Sequence, residues 1–178
     1  MLNTNETMLI TVDMQEKIIP AMNNQNKLIK NTNILIQGCE TLGLKILFTE
    51  QYKKGLGETS KQIIMPTNST SLEKISFSIF GDEKIKNFIN QNKIKNLIII
   101  GIEAHVCVML SALDALKNNY NVFIISDAIS SRTQENYVNA INLMRDNKII
   151  ITNTESILFA MMKDAKHPAF KTISNLIK

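Results

Sequence analysis

The sequence predicts an α/β fold, a three-layer α/β/α sandwich around a mostly parallel sheet of about six strands, Rossmann-like in architecture. Short apolar runs alternate with segments whose apolar residues recur at helical spacing, along the whole chain. The run Leu97–Ile100 is typical of a strand buried on both faces. The length of 178 residues fits one core, so a single domain over residues 1–178 is expected.

Each element follows from its local pattern. The predicted strands are Met8–Val12, Lys45–Thr49, Ser71–Ser76, Asn96–Ile100, Asn121–Ile125 and Lys148–Thr152. The predicted helices are Leu28–Leu42, Glu83–Asn90, a helix from Val106 onward, Gln134–Asp146, Ser156–Met162 and Ala169–Ile177. Gly43 is the stop signal of the first helix, and Asp82 is the expected N-cap of the second. Glu50–Ser60 carries two glycines and is predicted to be a loop over the site.

Composition narrows the class of protein. Hydrophobic residues make up 44% and charged residues 20%, as in ordinary globular proteins. No apolar run approaches the ~20 residues of a membrane span, so no membrane partner is expected. The N-terminus lacks a signal-like stretch, which favours a cytoplasmic location. The net charge of +4 comes from scattered lysines and only 6% of residues are aromatic, so nucleic acid is an unlikely partner.

Cys107 is the first candidate for chemistry. The strand that ends near Gly101 turns sharply into a helix, and Cys107 lies in the first turn of that helix. Unpaired N–H groups and the helix dipole stabilise a thiolate at such a place, which would make Cys107 a nucleophile. The alternative is a buried and inert thiol, which is how Cys39 is interpreted. The two cysteines form no CxxC pair, and both are expected to be free.

A cysteine nucleophile needs a group that takes its proton. His105 is two residues from Cys107 and His167 lies near the C-terminus, so a Cys-His pair has weak support. Asp13 follows the first strand and Lys74 lies on a neighbouring element. The carboxylate could accept the thiol proton, and the ammonium could stabilise both anions. Polar residues that follow strand ends, including Thr49–Glu50 and Asp127, are expected to meet at one edge of the sheet.

Four motifs in this order resemble those of the isochorismatase-like cysteine hydrolases. They are Val12-Asp13-Met14-Gln15, then Lys74 before Phe77-Ser78, then Gly101–Val108 with Cys107, and finally Asp127 with Ser130-Ser131-Arg132. Each motif is weak alone, but the ordered set is specific and covers nearly the whole chain. Three further segments resemble the isochorismatase domain-containing proteins of eukaryotes and their bacterial relatives. They are Thr49–Gly57, Ser130–Arg132 and His167–Ile173.

The resemblance implies a catalytic triad of Asp13, Lys74 and Cys107. Cys107 would form a covalent intermediate with a small amide- or imide-type substrate, whose C–N bond is then hydrolysed. The resemblance also implies a cis peptide between Ile102 and Glu103 and an oxyanion hole made by the amides of Glu103 and Cys107. The residues expected to line the substrate pocket are Gln15, Glu50, Gln51, Phe77, Ala104 and His105. Glu50 and Gln51 could instead shape a turn, and Phe77 could belong to the core.

Departures from the family pattern leave alternatives open. The nicotinamidase branch binds a metal through Asp and His residues after the second strand, where this chain has Thr49–Lys53 without His. No metal and no cofactor are therefore expected. Hydrolysis of a vinyl ether need not use a cysteine, so the presence of Cys107 favours C–N hydrolysis. A non-catalytic interaction protein and an RNA-associated protein remain alternatives. Asp127 and Arg132 could form an ion pair near the site.

Self-association is a further expectation. The family forms dimers and larger oligomers, and the resemblance therefore implies a homo-oligomer. The apolar stretch Ile157–Met162 could supply an interface.

Overall fold

The structure is a computed structural model that describes residues 2–178. Its centre is a six-stranded sheet of order β3-β2-β1-β4-β5-β6, and every pairing in it is parallel. The strands are β1 Thr7–Val12, β2 Lys45–Gln51, β3 Thr70–Lys74, β4 Asn96–Ile102, β5 Asn121–Ser130 and β6 Ile150–Thr152. The helices are α1 Gln25–Thr41, α2 Lys53–Leu56, α3 Glu83–Gln91, α4 Met109–Lys117, α5 Gln134–Asp146, α6 Thr154–Met162 and α7 Phe170–Ile177.

Two apolar cores cover the two faces of the sheet and confirm the three-layer fold. Helices α1, α6 and α7 pack on one face, and α3, α4 and α5 pack on the other. Successive side chains of a strand point to opposite faces. Along β1, Leu9 therefore enters the first core, while Met8 and Ile10 enter the second. Burial on both faces explains why the central strands are continuous apolar runs.

Several boundaries differ from the sequence prediction. Strand β2 continues to Gln51, because Glu50 and Gln51 pair with Glu73 and Lys74 of β3. The four-residue helix α2 then occupies part of the predicted loop Glu50–Ser60. Strand β5 continues to Ser130, because its last residues pair with the end of β4 beyond a register shift.

The C-terminal stretch Ile157–Met162 is core, so the expectation that it supplies an interface was wrong. Its four largest aliphatic side chains, Ile157, Leu158, Met161 and Met162, are buried against α1 and α7. None of the helices within residues 2–178 is both long and apolar enough to cross a bilayer.

Gly101 lets β4 approach β1 closely at the edge where the candidate site lies. The prediction that Gly101 ends the strand was wrong, because β4 continues through Ile102. Gly101 pairs with Val12 and has a φ of +112°. A Cβ atom at this position would lie 2.0 Å from the carbonyl oxygen of Val12 and 2.7 Å from its nitrogen. Both the dihedral angle and the contact therefore require glycine.

We expect Gly101→Ala to lower the free energy of unfolding by more than about 3 kcal/mol, because backbone strain and a backbone clash add. Gly43→Ala is the matched control. Gly43 also has a positive φ of +75°, but an added Cβ would meet nothing within 4 Å. Strain alone should then cost about 1–2 kcal/mol. Urea unfolding followed by circular dichroism measures both values, and equal losses would contradict the steric argument.

Candidate active site

The candidate site lies where the carboxyl ends of β3, β2, β1 and β4 meet. Lys74 is the last residue of β3, Thr49 lies near the end of β2, and Asp13 directly follows β1. Cys107 lies in a π-helical turn, Ala104–Val108, between β4 and α4. Ligands of parallel α/β sheets bind beyond this edge of the sheet. The four residues come from distant parts of the sequence and meet only because neighbouring strands run parallel.

Asp13 is held by both of its neighbours in the sheet. Its N–H donates to the carbonyl of Thr49 at 3.0 Å, and its φ of +52° turns the chain away from the strand. The hydroxyl of Thr49 donates to Oδ1 at 2.7 Å. The Lys74 ammonium donates to Oδ2 at 2.7 Å. With both oxygens engaged and the side chain buried, the carboxylate has one fixed orientation.

Lys74 is a fully buried cation rather than a solvated surface lysine. Its side chain has no exposed area. Besides Asp13, Nζ contacts Oε1 of Gln51 at 2.7 Å and the carbonyl oxygens of Ser76 and Phe77 at 3.2 Å each. Burying an ammonium group is unfavourable unless a counter-ion and hydrogen-bond acceptors replace water. All of these replacements are present around Lys74.

The thiol of Cys107 faces this ion pair and is protonated at rest. Burial, and then the nearby Asp13 carboxylate, raise the pKa of Cys107 to about 12, and the Lys74 ammonium only partly opposes them. The prediction of a thiolate stabilised by the helix N-terminus was therefore wrong. Cys107 is only 8% exposed and has a carboxylate beside it, and these two effects outweigh the helix dipole.

A cavity of about 450 Å³ opens onto Cys107. Asp13, Gln51 and Cys107 lie at its buried end, and Lys17 and Arg132 lie at its exposed mouth. Its other lining residues are Ile18, Ala21, Met22, Leu56, Phe77, Ile102, Glu103 and Val106. A slightly larger cavity of about 490 Å³ lies against the first residues of β4 and β5, but no charged side chain lines it. The charged side chains and the thiol therefore favour the cavity at Cys107 as the candidate site.

The peptide bond between Ile102 and Glu103 is cis. Both residues line the cavity, and Glu103 is the residue that precedes the π-helical turn. The carbonyl of Glu103 accepts hydrogen bonds from the N–H groups of Val106 and Val108. Among the hydrogen bonds made outside the helices and strands of residues 2–178, none uses the N–H of Glu103 or of Cys107.

Gln15 lies outside the cavity, although it was expected to line the pocket. Its amide oxygen accepts the N–H of Gln51 at 2.7 Å, and its amide nitrogen donates to the carbonyls of Gln51 and Gly57. The side chain is fully buried, so no atom remains for a substrate. Gln15 instead fastens the segment after β2 to the site.

Glu50 also serves the structure of this segment and not the cavity wall. Its carboxylate accepts the N–H and hydroxyl of Thr59 and contacts Lys53 at 3.2 Å. Burial alone would raise the pKa of Glu50, but the hydrogen bonds from Thr59 and Lys53 lower it. Of the two residues that were expected either to line the pocket or to shape a turn, Gln51 does line it.

Three further expectations need correction. Ala104 is fully buried in the core and does not line the cavity. His105 turns away, and its Nδ1 lies 3.0 Å from the hydroxyl of Ser131. Asp127 does not pair with Arg132, because its Oδ1 accepts the N–H and hydroxyl of Thr154 at the start of α6. Arg132 pairs with Glu103 instead.

Sequence reasoning missed several residues of the cavity wall, namely Lys17, Ile18, Ala21, Met22, Leu56 and Val106. Most of them lie in irregular segments or short helices, where no periodic pattern marks the inner side. Ile18 and Ile19 were the one available signal, because they lie between a predicted strand and a predicted helix, where adjacent apolar residues need a surface to cover. Within residues 2–178, no group of three or more His, Cys, Asp or Glu side chains could hold a metal ion.

Comparisons with known proteins identify the family. Residues 7–156 match the family model of the isochorismatase domain. Isochorismatase family protein 1A of Dictyostelium discoideum is 38% identical over 97% of this chain and 86% of its own length. Isochorismatase domain-containing protein 2 of Danio rerio is 33% identical over 99% of this chain and 89% of its own length.

A solved structure agrees with these relatives. The MAR1 ribonuclease of Caenorhabditis elegans is 30% identical and superposes with a TM-score of 0.91 over 99% of this chain and 91% of its own. The fold, the order of the motifs and the relatives agree, and the chain belongs to the isochorismatase-like family of hydrolases.

Proposed function

We propose that this protein is a cysteine hydrolase that cleaves the C–N bond of a small amide or imide through a covalent intermediate on Cys107. The observation that carries the proposal is the buried Asp13–Lys74 ion pair beside the Cys107 thiol at the inner end of a cavity. The burial of an ion pair to this degree costs desolvation free energy, and apolar residues in its place would often give equal or greater stability. Its presence at a cavity therefore favours a functional role. Perturbed titratable groups in a cavity are typical of active sites.

In the proposed reaction, Asp13 is the base. Its carboxylate accepts the thiol proton while the sulfur attacks the substrate carbonyl carbon, so no free thiolate has to accumulate. In this scheme the N–H groups of Glu103 and Cys107, two residues that line the cavity, donate to the oxygen that becomes negative. Asp13 then returns the proton to the leaving nitrogen, and the C–N bond breaks. Asp13 then takes a proton from water as the water oxygen attacks the thioester carbon. The C–S bond breaks, the acid product leaves, and Asp13 returns the proton to sulfur, which restores the thiol.

Lys74 has a positioning and electrostatic role in this scheme. Its ammonium donates to Asp13 at 2.7 Å and keeps the carboxylate in one orientation. Its charge lowers the pKa of Cys107, against the larger opposing effects of burial and Asp13. The cation therefore stabilises the sulfur anion as it forms, and it stabilises the carboxylate in the resting state.

Self-association is a second part of the proposal. Tyr52, Ile75 and Phe77 are exposed apolar side chains, of which Phe77 lines the cavity, while Tyr52 follows the lining residue Gln51. An exposed apolar group of this kind is typical of a surface that contacts another protein. We expect a homo-oligomer. Size-exclusion chromatography with light scattering measures the molar mass, and a monomer across micromolar concentrations would contradict this expectation.

Ribonuclease activity is a second candidate function, favoured by the C. elegans protein that carries this name and is 30% identical. Incubation of the purified protein and of its Cys107→Ala variant with mixed single-stranded RNA tests it. Cleavage by the wild type that the variant loses would replace the amide with RNA as the substrate.

The nucleophile can be tested by trapping. We expect mass spectrometry after incubation with a panel of small amides and imides to find an adduct on Cys107 and none in Cys107→Ala, which should also lose turnover. Cys39→Ala is the matched control, because Cys39 is fully buried in the core on the other face of the sheet. Normal turnover by a folded Cys107→Ala protein would reject cysteine catalysis and leave an acid-catalysed reaction through Asp13.

The raised pKa of Cys107 predicts how its alkylation depends on pH. Since only the thiolate reacts, the rate with iodoacetamide should rise about tenfold per pH unit from neutral pH without a plateau below about pH 11. Cys107 should still react faster than Cys39, because Cys39 is fully buried and Cys107 opens onto the cavity. Quantitative mass spectrometry of the two cysteine peptides measures both rates, and a plateau near pH 8 would contradict a protonated resting thiol.

Asp13→Asn should move alkylation and turnover in opposite directions. Asp13 raises the pKa of Cys107, so its neutral replacement lowers that pKa and speeds alkylation at a given pH. The same change removes the base and should slow turnover by roughly 10²–10⁴.

Lys74→Met should raise the pKa of Cys107, because the ammonium lowers that pKa. Alkylation and turnover should therefore both be slower in this variant. Circular dichroism must first show that each variant is folded, because either change breaks a buried ion pair. Near-normal turnover in folded Asp13→Asn would show that Asp13 does not act as the base, and slower alkylation would contradict the effect of Asp13 on the pKa of Cys107.

A further inference from the structure

The charges around the cavity are not balanced. Two carboxylates, Asp13 and Glu103, and two cations, Lys17 and Arg132, line it, and the buried ammonium of Lys74 adds a third positive charge. Asp13 pairs with Lys74, and Glu103 pairs with Arg132. Lys17 has no carboxylate oxygen within 4.0 Å in residues 2–178. The lining therefore carries one uncompensated positive charge at its mouth.

Lys17 is directed by one hydrogen bond and has capacity for more. Its Nζ donates to the carbonyl of Gly55 in α2 at 2.9 Å. An ammonium group has three donors, so two remain for a ligand. Neither neighbouring acid pairs with Lys17. Glu58 shares Lys53 with Glu50, Glu16 lies beside Gly57, and neither Glu58 nor Glu16 lines the cavity.

Arg132 is also held in place with donors to spare. Its backbone N–H and its Nε both donate to the same oxygen of Glu103, at 3.2 Å and 3.1 Å. The terminal guanidinium nitrogens make no hydrogen bond with another described residue. A guanidinium fixed at Nε in this way is oriented in advance for a planar anion such as a carboxylate.

The wall between the mouth and Cys107 is largely apolar. It is formed by Ile18, Met22, Leu56, Phe77 and Val106. Such a wall suits a short hydrocarbon segment, whereas the two ends of the cavity suit polar groups.

We propose that this cavity binds a small molecule with an anionic group, a carboxylate, at Lys17 and Arg132, an apolar middle, and its reactive carbon at Cys107. If the proposed hydrolase function holds, on which this substrate assignment rests, that molecule is an amide of a small dicarboxylic acid or a similar acid-bearing amide. Both cations are exposed, so each is worth a modest factor that salt should screen.

Alkylation of Cys107 tests the anion site without any knowledge of the substrate. Iodoacetate and iodoacetamide differ in charge and little in size. The carboxylate of iodoacetate is bonded to its reactive carbon, so it senses Lys17 and Arg132 by long-range attraction and not by direct contact. With either reagent the sulfur forms a C–S bond and iodide leaves. We expect the iodoacetate-to-iodoacetamide rate ratio, measured by mass spectrometry of the Cys107 peptide at low salt, to exceed that of a small neutral thiol. The ratio should fall about two- to fivefold in Lys17→Gln and in Arg132→Gln. It should fall with added salt in the wild type.

Lys171→Gln is the matched control, because Lys171 is an exposed lysine on α7 that does not line the cavity. Its ratio should equal that of the wild type. A wild-type ratio equal to that of the small thiol, or a ratio that neither cavity variant changes, would overturn the anion site.

A second measurement separates the anion site from the hydrolase function. In steady-state kinetics, succinamic acid should have a lower KM than its neutral analogue succinamide. Lys17→Gln should reduce this difference in KM. An iodoacetate preference without turnover of any amide would reject the hydrolase and keep the anion site. Turnover with equal KM values for acid and neutral amide would reject the anion site and keep the hydrolase.

Discussion

The rest of this structure depends on the buried ion pair between Asp13 and Lys74. Removal of two charges from water is unfavourable, and their attraction compensates only when hydrogen bonds satisfy the remaining polar atoms. Here the second carboxylate oxygen accepts the hydroxyl of Thr49, and the ammonium contacts Gln51 and two backbone carbonyls. The pair thus needs the ends of β1, β2 and β3 in one register. A shift of one residue in any of them would leave a buried charge unpaired.

This constraint explains features that have no direct role in chemistry. Gln15 bonds the backbone of Gln51 and Gly57, and Glu50 bonds the N–H and hydroxyl of Thr59 and pairs with Lys53. They fix the end of β2, which supplies Gln51 to Lys74, and the segment after it, which supplies Leu56 to the cavity wall. On the other side of β1, Gly101 allows β4 to come close enough that the turn with Cys107 starts beside Asp13. Polar residues near a candidate site can therefore hold its geometry without lining its cavity.

The sequence was sufficient for the fold and for the meeting of Asp13, Lys74 and Cys107 at one place, but not for the cavity wall. Buried parallel strands leave a strong signal, since both faces of β1 and β4 must be apolar. The order of Asp13, Lys74 and Cys107 in their motifs was also readable. The side-chain directions of Gln15, Glu50 and His105 were not, because each depends on a partner distant in sequence, namely Gly57, Thr59 and Ser131. The short helix α2 was missed because four residues with a glycine carry no helical period.

The pKa of the Cys107 thiol is set by competing electrostatic effects, and burial has the largest influence among them. The argument from position assigned Cys107 a low pKa, because helix N-termini stabilise anions. That stabilisation is worth about 1 kcal/mol at exposed sites, whereas a shift of one pKa unit already corresponds to 1.36 kcal/mol. Burial and the adjacent carboxylate raise the pKa of Cys107 to about 12, well beyond what the dipole can reverse. In the proposed mechanism, the protonated thiol and the carboxylate form a resting pair that becomes reactive when a bound substrate lets the proton cross to Asp13. Such a site avoids a permanently exposed thiolate, which alkylating and oxidising agents attack most readily.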